Sequence, residues 1–168
     1  MATTLKGDKG FTDLIKEDGV SKSDSRIEAI GAVDEAWSAL GFARAVASIP
    51  EHKVIILHMQ NDLHLLMSQL AGNKKAQSGK NTFDDSHTEW LEEIIDDIKT
   101  KIVMPKAFIV SGDTLAGAAL ALARSIVRRA ERRVVSVVEQ YPYTDPTLIK
   151  YLNRLSEACF FLELAQNA

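Results

Sequence analysis

Four prolines, Pro50, Pro105, Pro142 and Pro146, constrain the fold of this chain more than any other feature. The pyrrolidine ring removes an amide donor and clashes with the preceding turn, so helix interiors exclude it. Long helices can run only in the proline-free intervals, and each interval carries helical periodicity. From Ser25 to about Ser48, Ile27, Ile30, Val33, Trp37 and Leu40 recur at spacings of three and four, predicting one apolar face with Asp24 or Ser25 as cap. Lys53 to about Leu70 repeats the pattern with Ile56, Met59, Leu63, Leu66 and Leu70. A third helix is expected to start at the box Ser86-x-x-Glu89 and to run through Trp90, Leu91, Ile94, Ile95 and Ile98 towards Pro105. The longest candidate spans about Thr114 to Val138, and Thr147 to about Ala165 is the last.

Only Ala107 to Val110 has strand character, and one short apolar run cannot build a sheet. The first 24 residues hold three of the nine glycines and read as an extended arm. The expectation is an all-α single domain over 1–168: an N-terminal arm, 1–24, and a five-helix bundle, 25–168. Ala71 to Asp85 has little to bury and reads as a surface loop. The apolar-or-glycine run Leu115 to Ala123 is nine residues, short of the roughly 18 that cross a bilayer. The N-terminus lacks the basic-then-apolar pattern of a secretory signal. Cys159, the single cysteine, cannot form an internal disulfide and stands in an apolar context, so a reducing, cytoplasmic setting is expected. A formal charge of −3 argues against bulk nucleic-acid binding.

Local charge is another matter. At about 100° per residue, Arg124, Arg128 and Arg132 fall at about 0°, 40° and 80° on the long fourth helix, with Glu131 at about −20°. Arg129 and Arg133 point elsewhere. Such a stripe is either an anion site, with guanidinium forks on phosphate oxygens, or a solvated face paired with carboxylates such as Glu28, Asp34 and Glu35 on the first helix. The arm carries Lys6-Gly7-Asp8-Lys9-Gly10-Phe11-Thr12, where the glycines permit positive φ and close approach of a ligand, although an ordinary flexible turn reads the same way. Neither a P-loop nor a G-x-G-x-x-G sequence is present. His52, His58, His64 and His87 lack metal-site spacing and are given no role. Asn153 and Arg154, early in the last helix, serve interhelical pairing or ligand contact.

In combination these blocks resemble the PduO-type ATP:cob(I)alamin adenosyltransferases nearly end to end. The resemblance is carried by Gly7-Asp8-Lys9-Gly10-x-Thr12, by Val20-x-Lys22 with Arg26-x-Glu28-Ala29-x-Gly31-x-Val33-Asp34-Glu35, and by Gln60-Asn61-Asp62-Leu63. Trp90-Leu91-Glu92, Arg124-x-x-x-Arg128-Arg129-Ala130-Glu131-Arg132-Arg133 and Tyr151-Leu152-Asn153-Arg154-Leu155-Ser156 complete it. It implies a homotrimer with active sites between subunits, binding neither nucleic acid nor membrane. It implies transfer of the 5′-deoxyadenosyl group of ATP, with Mg²⁺, to the cobalt of reduced cobalamin, releasing triphosphate. The nucleophile belongs to the corrinoid, so the protein need supply only positioning and charge stabilisation.

By this resemblance Gly7, Asp8, Gly10 and Thr12 form an ATP-binding arm, with Lys22 reaching the phosphates. Arg128, Glu131 and Arg132 match ATP and metal contacts, with Glu131 the Mg²⁺ candidate, and Asn153 matches a nucleotide contact. Asp34 and Arg124 match a pair across the subunit interface, and Phe108 the aromatic residue under the corrin ring. The chain departs from the family pattern at Val110-Ser111-Gly112-Asp113, usually Leu-Pro-Gly-Gly, at Ala121, where many members have histidine, and at Leu5-Lys6. The first two departures bear on the corrinoid side, so a divergent nucleotide- or corrinoid-binding paralogue on the same scaffold is the alternative to the enzyme.

Overall fold

The structure, a computed structural model, describes residues 5–15, 17–72 and 83–168. Five helices are present: α1 (Ser25–Val46), α2 (Pro50–Leu70), α3 (Asp85–Lys101), α4 (Leu115–Gln140) and α5 (Thr147–Asn167). α1 packs on α4 and α2, and α5 packs on α4 and α3, so α4 lies at the centre of the bundle between α1 and α5. Ten residues of the expected surface loop, 73–82, lie outside the described residues.

The helix starts follow side-chain chemistry. Asp24 caps α1 by accepting from the amide of Arg26 at 2.8 Å, and Thr114 caps α4 by accepting from the amide of Gly117 at 2.9 Å. α2 begins at Pro50 rather than Lys53, because proline at a first helical position gives up an amide that has no partner there. α3 is capped by Asp84 instead of Ser86: its carboxylate accepts from the Ser86 amide at 3.0 Å, and His87 Nδ1 accepts from the Asp84 amide at 3.3 Å. The reciprocal box therefore uses Asp84 and His87, two residues before the predicted pair.

The core joins all five helices. α2 buries the predicted Ile56, Met59, Leu63, Leu66 and Leu70. α1 differs from expectation: its buried face is Ala29, Ala32, Val33, Ala36, Leu40 and Ala43, while Ile27 and Ile30 are half-buried and Trp37 remains 40% exposed. The alanines face a similar small-residue stripe on α4, Ala119, Ala123, Val127 and Ala130, which lets the two backbones approach closely.

The arm is a folded element rather than an extended one. After a 3-10 turn over Leu5–Lys9, strand β1 (Phe11–Leu14) pairs antiparallel with β2 (Glu17–Ser21), in register Phe11 to Ser21 and Thr12 to Val20. Gly10 and Gly19, at φ 81° and 70°, supply the left-handed turns. Asp13 accepts from the Gly19 amide at 2.8 Å. Val20 is buried, and the Ile15 amide donates to the carbonyl of Ala71. The segment Ala107 to Val110 is not a strand; it lies in the irregular connection between α3 and α4.

Candidate functional site

Helical phase splits the arginines of α4 into two rows. Arg129 and Arg133 face α1, where Arg129 pairs with Glu35 and Arg133 Nη2 stands 3.3 Å from Glu28 Oε1. These two guanidinium groups, which point away from the Arg128 and Arg132 stripe as expected, line a cleft of about 380 Å³ together with Thr12 and Lys22 of the arm region and both carboxylates. Gly31 borders the same cleft, and a Cβ there would meet no atom within 4 Å, so the glycine leaves open a volume in the range of small-molecule pockets. Lys22 is held at this rim by its Nζ, which donates to the Gly7 carbonyl at 2.7 Å. Gly7 is half-buried, while Asp8 and Gly10 are exposed at the turn into β1.

The second row is Arg128 and Arg132, both exposed. Arg132 Nη1 donates to the Arg128 carbonyl at 2.9 Å, whereas the Arg128 guanidinium makes no ion pair or hydrogen bond among the described residues. Beside them, Asn153 Nδ2 on α5 donates to Glu131 Oε1 at 3.2 Å, and Arg154 Nη1 donates back to Asn153 Oδ1 at 3.1 Å. Arg154 in turn donates through Nε to Glu92 of α3 at 2.8 Å, and that guanidinium holds the Glu92 carboxyl below the usual carboxylate range. Arg128, Glu131, Arg132 and Asn153 thus share one polar face, fixed from behind by a chain of side chains crossing α5 to α3.

A carboxylate such as Glu131 is a suitable oxygen donor for Mg²⁺, which commonly takes one or two carboxylates and completes its shell with phosphate and water. Among the described residues no group of three or more His, Cys, Asp or Glu side chains is placed to hold a metal ion by itself. The donor set therefore fits a cation that arrives with a polyphosphate better than one resident in a protein cage.

Asp34 and Arg124 do not meet within the chain. Asp34 is exposed on α1, and the Arg124 guanidinium stands 5.4 Å over the Phe160 ring on α5. Phe108 is 93% exposed in the α3–α4 connection. Arg128 stands fourteen residues along the helix from Thr114, roughly 21 Å at 1.5 Å per residue. Within one chain the arm residues Thr12 and Lys22 meet Arg129 and Arg133 at the cleft, while Phe108 stands exposed in the α3–α4 connection.

Sequence reading missed the cleft-facing role of Arg129 and Arg133. The available signal was that Glu28 and Glu35, one heptad apart, share a face of α1 opposite arginines four apart on α4. The histidines, given no role, are partly structural: His58 stacks on Trp90 at 3.8 Å, and His58 and His87 approach buried Asp62 at 3.5 and 3.8 Å. Burial pushes the Cys159 thiol up to about 12, which makes it a poor nucleophile.

A family model described as cobalamin adenosyltransferase matches residues 2–166. The chain belongs to the cobalamin adenosyltransferase family. Corrinoid adenosyltransferase PduO of Salmonella typhimurium is 31% identical over 166 residues, covering 98% of this chain and 49% of that protein. Corrinoid adenosyltransferase MMAB of Bos taurus is 35% identical, with 95% of this chain and 68% of that protein covered. The chain thus spans about half the length of the PduO relatives from Salmonella and Citrobacter freundii. Among solved structures, a variant PduO-type ATP:corrinoid adenosyltransferase from Lactobacillus reuteri, complexed with cobalamin and ATP, superposes with TM-score 0.84 at 30% identity, over 99% of this chain and 91% of that one. A second variant of that protein, complexed with ATP, gives TM-score 0.82. The five helices described above are therefore the adenosyltransferase family's fold, and the two rows on α4 belong to a member of it.

Proposed function

We propose that this protein is an ATP:corrinoid adenosyltransferase, transferring the 5′-deoxyadenosyl group of ATP to the cobalt of cob(I)alamin. The observation that carries the reading is the uncompensated Arg128 guanidinium beside Arg132, Glu131 and Asn153, in a chain that matches the family along almost its whole length. In the reaction the cobalt(I) electron pair becomes the bond to C5′, the C5′–O bond breaks, and triphosphate leaves with the pair from that broken C5′–O bond. Charge gathers on the leaving oxygen, and guanidinium groups aimed at it lower the barrier. Arg128 and Arg132 take that role, Asn153 and Glu131 orient the nucleotide, and Gly7, Asp8, Gly10, Thr12 and Lys22 form the arm that closes over it. Glu131 would hold Mg²⁺ together with phosphate oxygens, and the ion would neutralise charge on the polyphosphate.

Phe108 is the platform under the corrin ring, kept exposed because its partner is a ligand. The working assembly is a homotrimer in which Asp34 of one subunit pairs with Arg124 of the next. Such closure brings the arm and the Arg128 and Arg132 row together. Residues 1–24 act as the nucleotide-binding arm and 25–168 as the bundle. The setting is the cytoplasm; among the described residues no helix is long and apolar enough to cross a membrane.

The decisive measurement is turnover. Full-length protein mixed with ATP, Mg²⁺ and cob(I)alamin under strict reduction yields adenosylcobalamin and triphosphate, and Arg128→Ala lowers kcat/KM for ATP about 100-fold while leaving the helical spectrum unchanged. Asp113 adds a negative charge next to the corrinoid platform, which favours the binding paralogue as the second reading. Stoichiometric spectral change without product would establish that alternative and remove the enzyme.

A further inference from the structure

Gly117 occupies the first turn of α4, where glycine is the poorest helix former apart from proline. A neighbour accounts for it. A Cβ at this position would stand 2.2 Å from Asn167 Oδ1 and 2.9 Å from Thr114 Oγ1, so only hydrogen admits the end of α5 to the start of α4. Across that gap Thr114 Oγ1 accepts from the Gly117 amide at 2.9 Å and donates to Asn167 Oδ1 at 2.7 Å. The adjacent Gln166 is tied as well. Its Oε1 accepts from the Ser48 hydroxyl at 2.7 Å and the Ser48 amide at 3.1 Å, and its Nε2 stands 2.8 Å from His52 Nδ1. The last turn of α5 is thus anchored to the α1–α2 corner and, from there, reaches the cap of α4.

The connection leading into that cap has no comparable ties. Among the described residues, 103–113 make no hydrogen bond or ion pair, and Val103, Phe108 and Val110 are 94%, 93% and 78% exposed. The position of Phe108 is therefore set by the two ends of the connection. At one end Ile102 packs partly against the core, and at the other stands Thr114. Between Phe108 and Thr114 lies Gly112, whose φ of 133° gives the connection a bend that side-chain-bearing residues rarely adopt.

We propose that Asn167, acting through Thr114, is a positioning residue that sets where Phe108 meets the corrinoid. The inference rests on the reading of Phe108 as the corrin platform. Losing a single partly buried hydrogen bond at a pivot leaves the fold and the distant arginine rows intact, while it broadens the positions open to the ring. Asn167→Ala and Thr114→Val, made in the full chain and assayed with ATP, Mg²⁺ and cob(I)alamin, raise KM for the corrinoid about tenfold, with KM for ATP and kcat held within about twofold. Asn167→Asp and Thr114→Ser keep the acceptor and the hydroxyl and restore the corrinoid KM. Gly117→Ala, whose methyl occupies the place of Asn167 Oδ1, reproduces the defect.

An unchanged corrinoid KM in an active variant overturns the proposal alone, as does a parallel rise in both KM values. Absence of turnover in the unsubstituted protein overturns the functional reading instead. The anchor is then tested without substrate, by amide hydrogen exchange in the first turn of α4. Exchange there accelerates in Asn167→Ala and in Thr114→Val; if it does not, Asn167 anchors nothing.

Discussion

Tyr151 is fully buried, yet its hydroxyl is satisfied: it donates to Oδ2 of Asp62 at 3.0 Å, and Asp62 is itself only 2% exposed. Burial raises the Asp62 pKa, while neighbouring His58 and His87 and the Tyr151 hydroxyl pull it back. The tyrosine is pushed well up, first by its own burial and then by the carboxylate. Phe83 packs edge-on against the Tyr151 ring and stacks on His87, so the cluster ties α2 to α3 and α5, two helices that α2 otherwise scarcely touches. Tyr151→Phe deletes the donor and leaves a buried carboxylate oxygen short of a partner. Unfolding by denaturant is expected to show a loss of about 1 to 3 kcal/mol at neutral pH. A loss below about 0.5 kcal/mol would mean that the hydroxyl contributes nothing. The block Gln60-Asn61-Asp62-Leu63, distinctive in the sequence, is largely architectural: Gln60 donates to the Trp37 carbonyl at 3.0 Å, and Leu63 is core.

At the scale of elements, the arm hairpin is fastened by one arginine. Arg26 donates to Asp24 through Nε and Nη2 at 3.0 and 2.8 Å and to Glu17 through Nη1 at 2.7 Å, and it lies 4.7 Å from the Tyr141 ring centre. Tyr141, at the end of α4, donates to Asp24 at 3.2 Å. The cap of α1, the hairpin and the tail of α4 are locked together at the rim of the cleft. Asp24 is lowered from 3.8 to about 2, chiefly by the Arg26 side chain. A carboxylate with a depressed native pKa binds fewer protons folded than unfolded, so its contribution is complete above about pH 4 and is lost as the pH falls towards 2. Thermal melts between pH 5 and pH 2 should therefore show an acid-side loss of stability that is shallower in Arg26→Ala. Parallel profiles for the two proteins would exclude the pair as its source. The sequence offered Asp24 as the cap of α1 but not the lock around Arg26, because its three partners converge only after the arm has folded back.

For the whole molecule, the proposed assembly would bring together Asp34 and Arg124, which do not pair within one chain. Asp34→Ala is expected to weaken the proposed trimer or the use of corrinoid while leaving the monomer fold unaltered. Sedimentation velocity and turnover together check it: unchanged mass and unchanged rates would rule out the pairing with Arg124. Exposed Phe42, on the side of α1 away from its alanine face, is consistent with a surface that another subunit covers.

Helix number, order and approximate extent were legible from the proline spacing and the apolar periodicity, because both are local consequences of backbone chemistry. The arginine rows on α4 were legible for the same reason, since helical phase depends on sequence separation alone. Which row faces which partner was not. That depends on how α1 is rotated about its axis, and the rotation is decided by close packing of alanines on α4 rather than by the larger apolar residues that dominate a periodicity count. The hairpin in the arm, the cleft between Arg129, Arg133 and the two glutamates, and the reach of Asn167 to Thr114 are contacts between residues distant in the chain. Their free energy exists only once the tertiary structure has brought those groups together, so the sequence by itself determined the helices and their charges, and the packing decided the site.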